Sequence, residues 1–397
     1  MNDNTEADVR REKEAGCVFE VGSLYAHFAE LADKRAARGK RYALALVLVL
    51  WVLAKLSGED RPYGIAQWVR MRGKALREAL GLRHERLPSH NTYRRVLGEG
   101  VEQSELQQKV SLFLTQGTAA GQSVLVSLDG KTLRGTIPMG QTQGVHLLAA
   151  YLPGEGIVLM QVAVGCKENE ISAAPAVLKC LDLRGKIVIG DALHTQRKLS
   201  AQIVAAGGDY IWTVKGNQPQ LHQDIEQVFA PEVCVKGFSP TPKDFQTTHT
   251  VNKGHGRLEE RTLTTSRVLC GYCDWPGLQQ VFQLERRAVH LSDGSVRHEI
   301  VYGCTSLTPQ QANPARLLQL VRAYWGIENG LHYRRDKTLQ EDATRISHPK
   351  LAQAIAILNN LIIGLVARQH RPNLAQARRF FNARLDLSLD LLLRPFA

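Results

Sequence analysis

No disulfide framework runs through this sequence. The seven cysteines, Cys17, Cys166, Cys180, Cys234, Cys270, Cys273 and Cys304, are odd in number and irregularly spaced, which points to a reducing cytosol. Cys270 and Cys273 form a lone C-x-x-C without the two further ligands that a structural zinc site needs, so they read as ordinary thiols. No secretory leader is expected, because the opening "MNDNTEADVRREKEAG" is charged. Only one apolar run, "YALALVLVLWVLAKL" at residues 42–56, raises the question of a membrane span. It is short for one and carries Lys55, so it predicts a buried core helix and no membrane partner. There is no internal repeat and no low-complexity tract. Acid is also scarce relative to base: 38 Asp and Glu against 50 Lys and Arg give a formal net charge of +12. That excess favours a polyanionic partner, nucleic acid before anionic lipid.

What is present suits a soluble globular chain. It has 397 residues, 44% of them apolar and 22% charged, enough for two or three domains with a real core. A charged, flexible stretch is expected over 1–19 and a helical region over 20–115. The helical region includes "GIAQWVRMRGKALREALG" and a short helix in "LPSHNTYRRVL" capped by Ser89 or Asn91. Its cations, Lys34 to Arg41 and the pair Arg94 and Arg95, could hold DNA or could be solvated helix faces. A small, polar linker at residues 116–123 separates this region from alternating strands and helices over 123–230, in the order β-β-β-α-β-α-β. A β-rich insertion of two hairpins follows over 231–305, and helices return over 306–397.

Two stretches share one form. "SVLVSLDGKTLRG" climbs through an apolar strand to Asp129, with Lys131 and Arg134 just beyond. "KIVIGDALHTQ" climbs to Asp191 in the same way. Asp129 could cap a turn or pair with Lys131. If the two strands are neighbours, however, the carboxylates come side by side and repel unless a proton or a cation lies between them. A divalent metal with hard oxygen ligands suits such a place. Glu328, in "YWGIENGLHYRRD", is the candidate third acid. On an α-helix it would share a face with His332 and Arg335, at i, i+4 and i+7.

Six blocks in order carry a resemblance: "SLDGKTLRG", "CKENEISAAP", "GDALHTQ", "YIWTVKGNQPQL", "GHGRLEER" and "YWGIENGLHYRRDKTLQEDATRI". With the helical N-terminal region they cover nearly the whole chain. It resembles the DDE transposases of bacterial insertion sequences, of the H-repeat-associated kind. Their catalytic core is ribonuclease-H-like, as in retroviral integrases. The resemblance implies an α/β fold: a mixed sheet with flanking helices, a β-rich insertion before the glutamate helix, and an N-terminal helical domain that binds DNA ends. It places the catalytic, metal-holding acids at Asp129, Asp191 and Glu328. The last block departs from the commoner pattern: His332-Tyr333 stands where His-Trp is expected, and Arg335 precedes Asp336 where an apolar residue is expected.

The implied activity is cutting and joining of double-stranded DNA at the ends of an insertion sequence and in its target, by a homo-oligomer assembled on DNA. The implied cofactor is Mg²⁺, with Mn²⁺ as substitute, at two ions per active site. Two such ions can activate the nucleophile and stabilise the leaving oxygen of a phosphodiester. Lys131 and Arg134 would clamp the DNA backbone, with Lys167, Lys215, Arg257, Arg322 and Arg335 as further candidates. His332 would orient a phosphate or a water.

Overall fold

The computed structural model describes residues 12–14, 17–82, 85–117, 124–165, 169–230, 244–254 and 256–396. Most of the expected linker, together with Cys166, Lys167 and Cys234, lies outside them.

One sheet of nine strands organises the molecule. Its strands are β1 (Val124–Leu133), β2 (Val145–Leu152), β3 (Ile157–Val164), β4 (Lys186–Gly190), β5 (Asp209–Val214), β6 (Gln246–Gly254), β7 (Arg257–Ser266), β8 (Gln280–His290) and β9 (Val296–Thr305). They lie in the order β3-β2-β1-β4-β5-β9-β8-β7-β6. Only β1–β4 and β4–β5 are parallel. The first five strands form the ribonuclease-H-like mixed sheet that the sequence predicts. The two inserted hairpins do not form a separate layer: β9 pairs with β5 and the same sheet runs on.

The register gives these hairpins a consequence for the site. Tyr302 of β9 pairs with Val214, the last residue of β5, and β9 begins six residues earlier, at Val296. At about 3.4 Å per residue the hairpin tips overhang the end of β5 by about 20 Å. This is the same sheet end at which β4 delivers Asp191.

Helices cover both faces. α7 (Glu170–Lys179), α8 (Arg197–Ala205) and α9 (Pro219–Phe229) join or follow the core strands, and α10 (Pro314–Tyr324) packs across β6 and β7. Before the sheet come six helices: α1 (Leu24–Ala29), α2 (Leu44–Leu56), α3 (Pro62–Met71), α4 (Gly73–Leu80), α5 (His90–Arg95) and α6 (Gln103–Thr115). Every residue of α2 is buried, and all but Lys55 are apolar. Ser89 caps α5, its Oγ accepting from the Thr92 N–H. In the stretch expected to be flexible, residues 12–14 and 17–19 pair as a short ladder, and Phe19 stacks on Tyr25.

After the sheet come α11 (Pro349–Arg368), α12 (Leu374–Ala383) and α13 (Leu385–Leu393). α11 is long and apolar enough to cross a membrane, yet it is largely buried inside the protein. It shares one hydrophobic core with α1 to α6. Buried charge reinforces this union. Arg378 of α12 donates to the carbonyls of Lys55 and Thr338 and to Asp60, which also pairs with Lys55.

Candidate active site

Pairing of β1 with β4 stops at Leu128 and Gly190, so the next residues, Asp129 and Asp191, leave the parallel pair side by side. β1 itself does not end there. It continues to Leu133 because β2 still pairs with it, from Asp129 opposite Ala149 to Leu133 opposite Val145. Asp129 is therefore held in a strand, not on a loop. Its Oδ1 accepts the Gly130 N–H at 3.0 Å and its Oδ2 lies 2.9 Å from His332 Nε2. Asp191 is exposed and caps the short turn Ala192–His194, its Oδ1 accepting from the Leu193 N–H at 3.0 Å.

Glu328 opens a π-helical segment, Glu328–His332, and a second one spans Arg334–Thr338. Such wide turns are rare and concentrate at functional sites. Donor atoms of Asp129, Glu328 and His332 all lie within 4.8 Å of one another. His332 is buried, and among the described residues its Nδ1 has no hydrogen-bond partner.

The shared face expected of Glu328, His332 and Arg335 holds for the first two and fails for the third. The π-helical i→i+5 bonding changes the angular spacing, so Arg335 turns inward. Its side chain is wholly buried. Its Nε donates to Glu341 at 2.8 Å, its Nη2 lies 2.7 Å from the same carboxylate oxygen as an ion pair, and its Nη1 donates to Gln161 at 3.1 Å. Asn359 donates to the other oxygen of Glu341, and Asn360 to Gln161. A guanidinium so enclosed does not reach a DNA backbone. The same network explains why a cation can stand where an apolar residue is expected.

A second carboxylate–imidazole group lies beside the first. Glu170 starts α7 behind the capping box of Asn169 and Ser172. Its carboxylate covers Gly130 so closely that a Cβ there would sit 2.1 Å from Oε1. Its Oε1 lies 2.8 Å from His146 Nε2 and its Oε2 lies 3.3 Å from the buried His194 Nε2. His146 Nδ1 in turn meets Thr132 Oγ1 at 2.8 Å. Burial works to raise the Glu170 pKa, but hydrogen bonds and charge from His146 and His194 outweigh it and hold the group at about 2. Glu170 thus ties together β1, β2 and the turn that follows Asp191. Tyr324, at the end of α10, feels the same acids. Burial first, then the charges of Asp129, Asp191 and Glu170, push its hydroxyl pKa upward.

The cations divide. Lys131 does not pair with Asp129; its Nζ lies 2.6 Å from Asp336 and 3.6 Å from Asp342. Arg134 is exposed, with Nε 3.9 Å from Asp342. Lys215 is exposed just past β5 at the active-site end, where Asn217 donates to the Ala192 carbonyl. Arg257 stands on the overhanging hairpin, paired with Glu259 at 2.6 Å. Arg322 is exposed on α10. The pKa of Arg261 is lowered by burial and then by Arg322, Arg286 and Arg257, a crowding of three guanidiniums of the overhang with one from α10.

Sequence reasoning passed over Glu170, His146, His194 and Tyr324. Glu170 lies in a quoted block, but an acid in the first turn of a helix reads as a complement to the helix dipole. Its link to His146, 24 residues back, appears only once β1 and β2 are paired.

Asp129, Glu328 and His332 thus cluster at the end of a mixed sheet where Asp191 also emerges. Residues 121–365 match the family model described as "Transposase DDE domain", and residues 25–114 match the model described as "DDE_Tnp_1-associated". The chain belongs to the DDE transposase family. It is 27% identical over 356 residues to "Putative transposase YncI" of Escherichia coli O157:H7, covering 87% of each chain. It is 24% identical over 383 residues to "H repeat-associated putative transposase YhhI" of Escherichia coli strain K12, covering 93% of this chain and 96% of that one. An uncharacterized protein in the dhlA 3′ region of Xanthobacter autotrophicus is 32% identical over 262 residues, 64% of this chain and 84% of that one.

Proposed function

We propose that this chain cuts DNA at the ends of an insertion sequence and joins the freed 3′ ends to target DNA, with Asp129, Asp191 and Glu328 as the catalytic acids. The observation that carries the reading is the convergence of Asp129, Glu328 and His332 at the sheet end where Asp191 also emerges. Among the described residues no Lys or Arg is paired with any of the three acids, although Lys131 is close in sequence and engaged elsewhere. Carboxylates gathered without a counter-ion call for a cation or a proton.

The residues fit divalent metal. The donors are hard carboxylate oxygens on rigid elements, with His332 beside them, and Asp129, Asp191 and Glu328 would hold two ions. Mg²⁺, or Mn²⁺ in its place, would supply activation of the attacking oxygen and stabilisation of the leaving one. In the first step a water oxygen bonds to phosphorus and the P–O3′ bond breaks, leaving a 3′-hydroxyl. In the second that hydroxyl attacks a phosphodiester of the target, and the displaced 3′-oxygen leaves.

The chain's own groups prepare this chemistry. His332 fixes Oδ2 of Asp129. Glu170, His146 and His194 fix the strand and the turn that present Asp129 and Asp191; they are positioning residues. Tyr324, kept protonated, offers a hydroxyl donor beside the acids. Arg134, Lys215, Arg257 and Arg322 would contact DNA phosphates, and the overhanging hairpins would flank the bound duplex. Lys131 instead fixes the loop of Asp336 and Asp342. Pairing two DNA ends would bring two copies of the chain together on DNA, in the bacterial cytosol.

The test uses the full chain, Mg²⁺ and a plasmid carrying the chromosomal DNA that flanks its gene. Cleaved ends together with joined products support the proposal. Nicks without joining would make the chain a nuclease, and retardation without cleavage a DNA-binding derivative.

A further inference from the structure

A cleft of about 520 Å³ opens between the start of α3, α5 and the loop that precedes α11. Arg61, Tyr63, His90, Arg94, Arg345 and His348 are among its lining residues. The three arginines are exposed. Unlike Arg35, Arg184, Arg335, Arg378 and Arg384, each paired with a carboxylate, none of the three has an acidic partner among the described residues.

Of the acids near them in sequence, Asp60 pairs with Lys55 and Arg378 and Asp342 with Lys131 and Arg134, while Glu59 and Glu99 form no ion pair with the three arginines among the described residues. Uncompensated guanidiniums converging on one concavity repel one another, and an anion that bridges them relieves this. Tyr63 is 67% exposed, with its ring centroid 5.9 Å from that of His90, so an aromatic face lies beside the cations. Guanidiniums beside a stacking face are what a sugar–phosphate strand requires.

The cleft is also anchored to the site. The Ile346 N–H donates to the Gly135 carbonyl at 3.0 Å, and the Arg134 N–H to Asp342 at 3.1 Å. The wall that carries Arg345 is therefore fixed to the turn that ends β1. A Cβ on Gly135 would come within 2.3 Å of the Thr344 carbonyl oxygen, so only glycine permits this contact.

We infer that this cleft binds the phosphodiester backbone of one strand of the DNA being cut, with Arg61, Arg94 and Arg345 as its phosphate contacts. The inference rests on the proposed function above. It names a site between the N-terminal helices and the catalytic core, so that a strand held there is fixed relative to Asp129.

The experiment measures binding of the full chain to a DNA duplex from the flanking sequence at several salt concentrations. The triple variant Arg61→Gln/Arg94→Gln/Arg345→Gln is compared with the charge-matched control Arg70→Gln/Arg184→Gln/Arg316→Gln. At about 0.9 per neutralised phosphate, the cleft variant is expected to lose about 2.7 from the slope of log affinity against log salt. It is also expected to bind at least tenfold more weakly than the control at moderate salt. Arg345→Gln alone is expected to lose about a third of that slope, which keeps the test open if the triple variant unfolds. Equal slopes and affinities for cleft variant and control overturn the cleft assignment while leaving the transposase reading standing. A wild-type chain that binds no DNA at low salt overturns the transposase reading itself.

Discussion

Two carboxylate–imidazole groups sit a residue apart on one sheet end, and they differ in how far they open to solvent. Around Glu170 both carboxylate oxygens face imidazoles, and His146 uses both ring nitrogens. Around Asp129 the group is open to solvent, because Glu328 and Asp191 are both exposed, whereas His194 beside Glu170 is buried; an imidazole Nδ1 without a hydrogen-bond partner occurs in both groups, on His332 and on His194. A closed polar group rigidifies the chain around it, whereas an open one has room for something from outside. The difference separates the residues that would act from those that hold them.

The largest effect should come from the open group. Asp129→Asn, Asp191→Asn and Glu328→Gln each keep shape and remove one ligand charge. Each should cut DNA cleavage on the order of 10⁴-fold while leaving DNA retardation and melting temperature nearly unchanged. Near-normal cleavage by any one of them in Mg²⁺ would remove that residue from the catalytic set.

Arg335 extends the comparison to a fully closed pair. Arg335→Met strands Glu341 in the interior and should cost about 3–5 kcal/mol of stability. Adding Glu341→Gln should recover most of that loss in denaturant melts, since the uncompensated charge is then gone. A single variant as stable as wild type would mean that the pair is not buried as described.

Glu170→Gln should reduce cleavage by about 10- to 100-fold, the range typical of groups that orient metal-binding side chains. It also carries a pH signature. The Glu170 pKa is held at about 2, below its ordinary 4.5. A depressed carboxylate stabilises the fold above its unfolded pKa, and that contribution is lost as pH falls from about 4.5 through about 2. Its size is at most about 3 kcal/mol. The variant should therefore be less stable than wild type at pH 7, with the gap closing toward pH 2. A gap that widened on acidification would reverse the assigned sign.

The smallest effect belongs to the overhang. Arg257 is exposed and paired with Glu259, so Arg257→Gln should shift stability by less than about 1 kcal/mol. In DNA binding it should lower the salt slope by about 0.9, one phosphate. No change in slope would leave Arg257 with only its ion pair.

Much of this was legible in the sequence because it is written locally. An apolar run ending in an acid, seen twice, marked both strands as candidate neighbours, and the structure pairs them, in parallel. The dipeptide Asp293-Gly294, of a kind that favours hairpin turns, lies between β8 and β9. What was not legible depends on geometry that the sequence does not encode at short range. The inward turn of Arg335 follows from π-helical bonding, which residue spacing on an α-helix misplaces. The partner of Lys131 lies more than 200 residues away, and the nearer Asp129 was the natural guess. The extension of β1 past Asp129 is set by β2, not by its own composition.

The most direct measurement is a Mn²⁺ titration of the full-length protein, followed by the electron paramagnetic resonance of free Mn²⁺. It is run on wild type, Asp129→Asn and Glu170→Gln. The account predicts saturable uptake by wild type, loss of that uptake in Asp129→Asn, and the same number of ions, bound more weakly, in Glu170→Gln. Uptake by Asp129→Asn equal to that of wild type would contradict it.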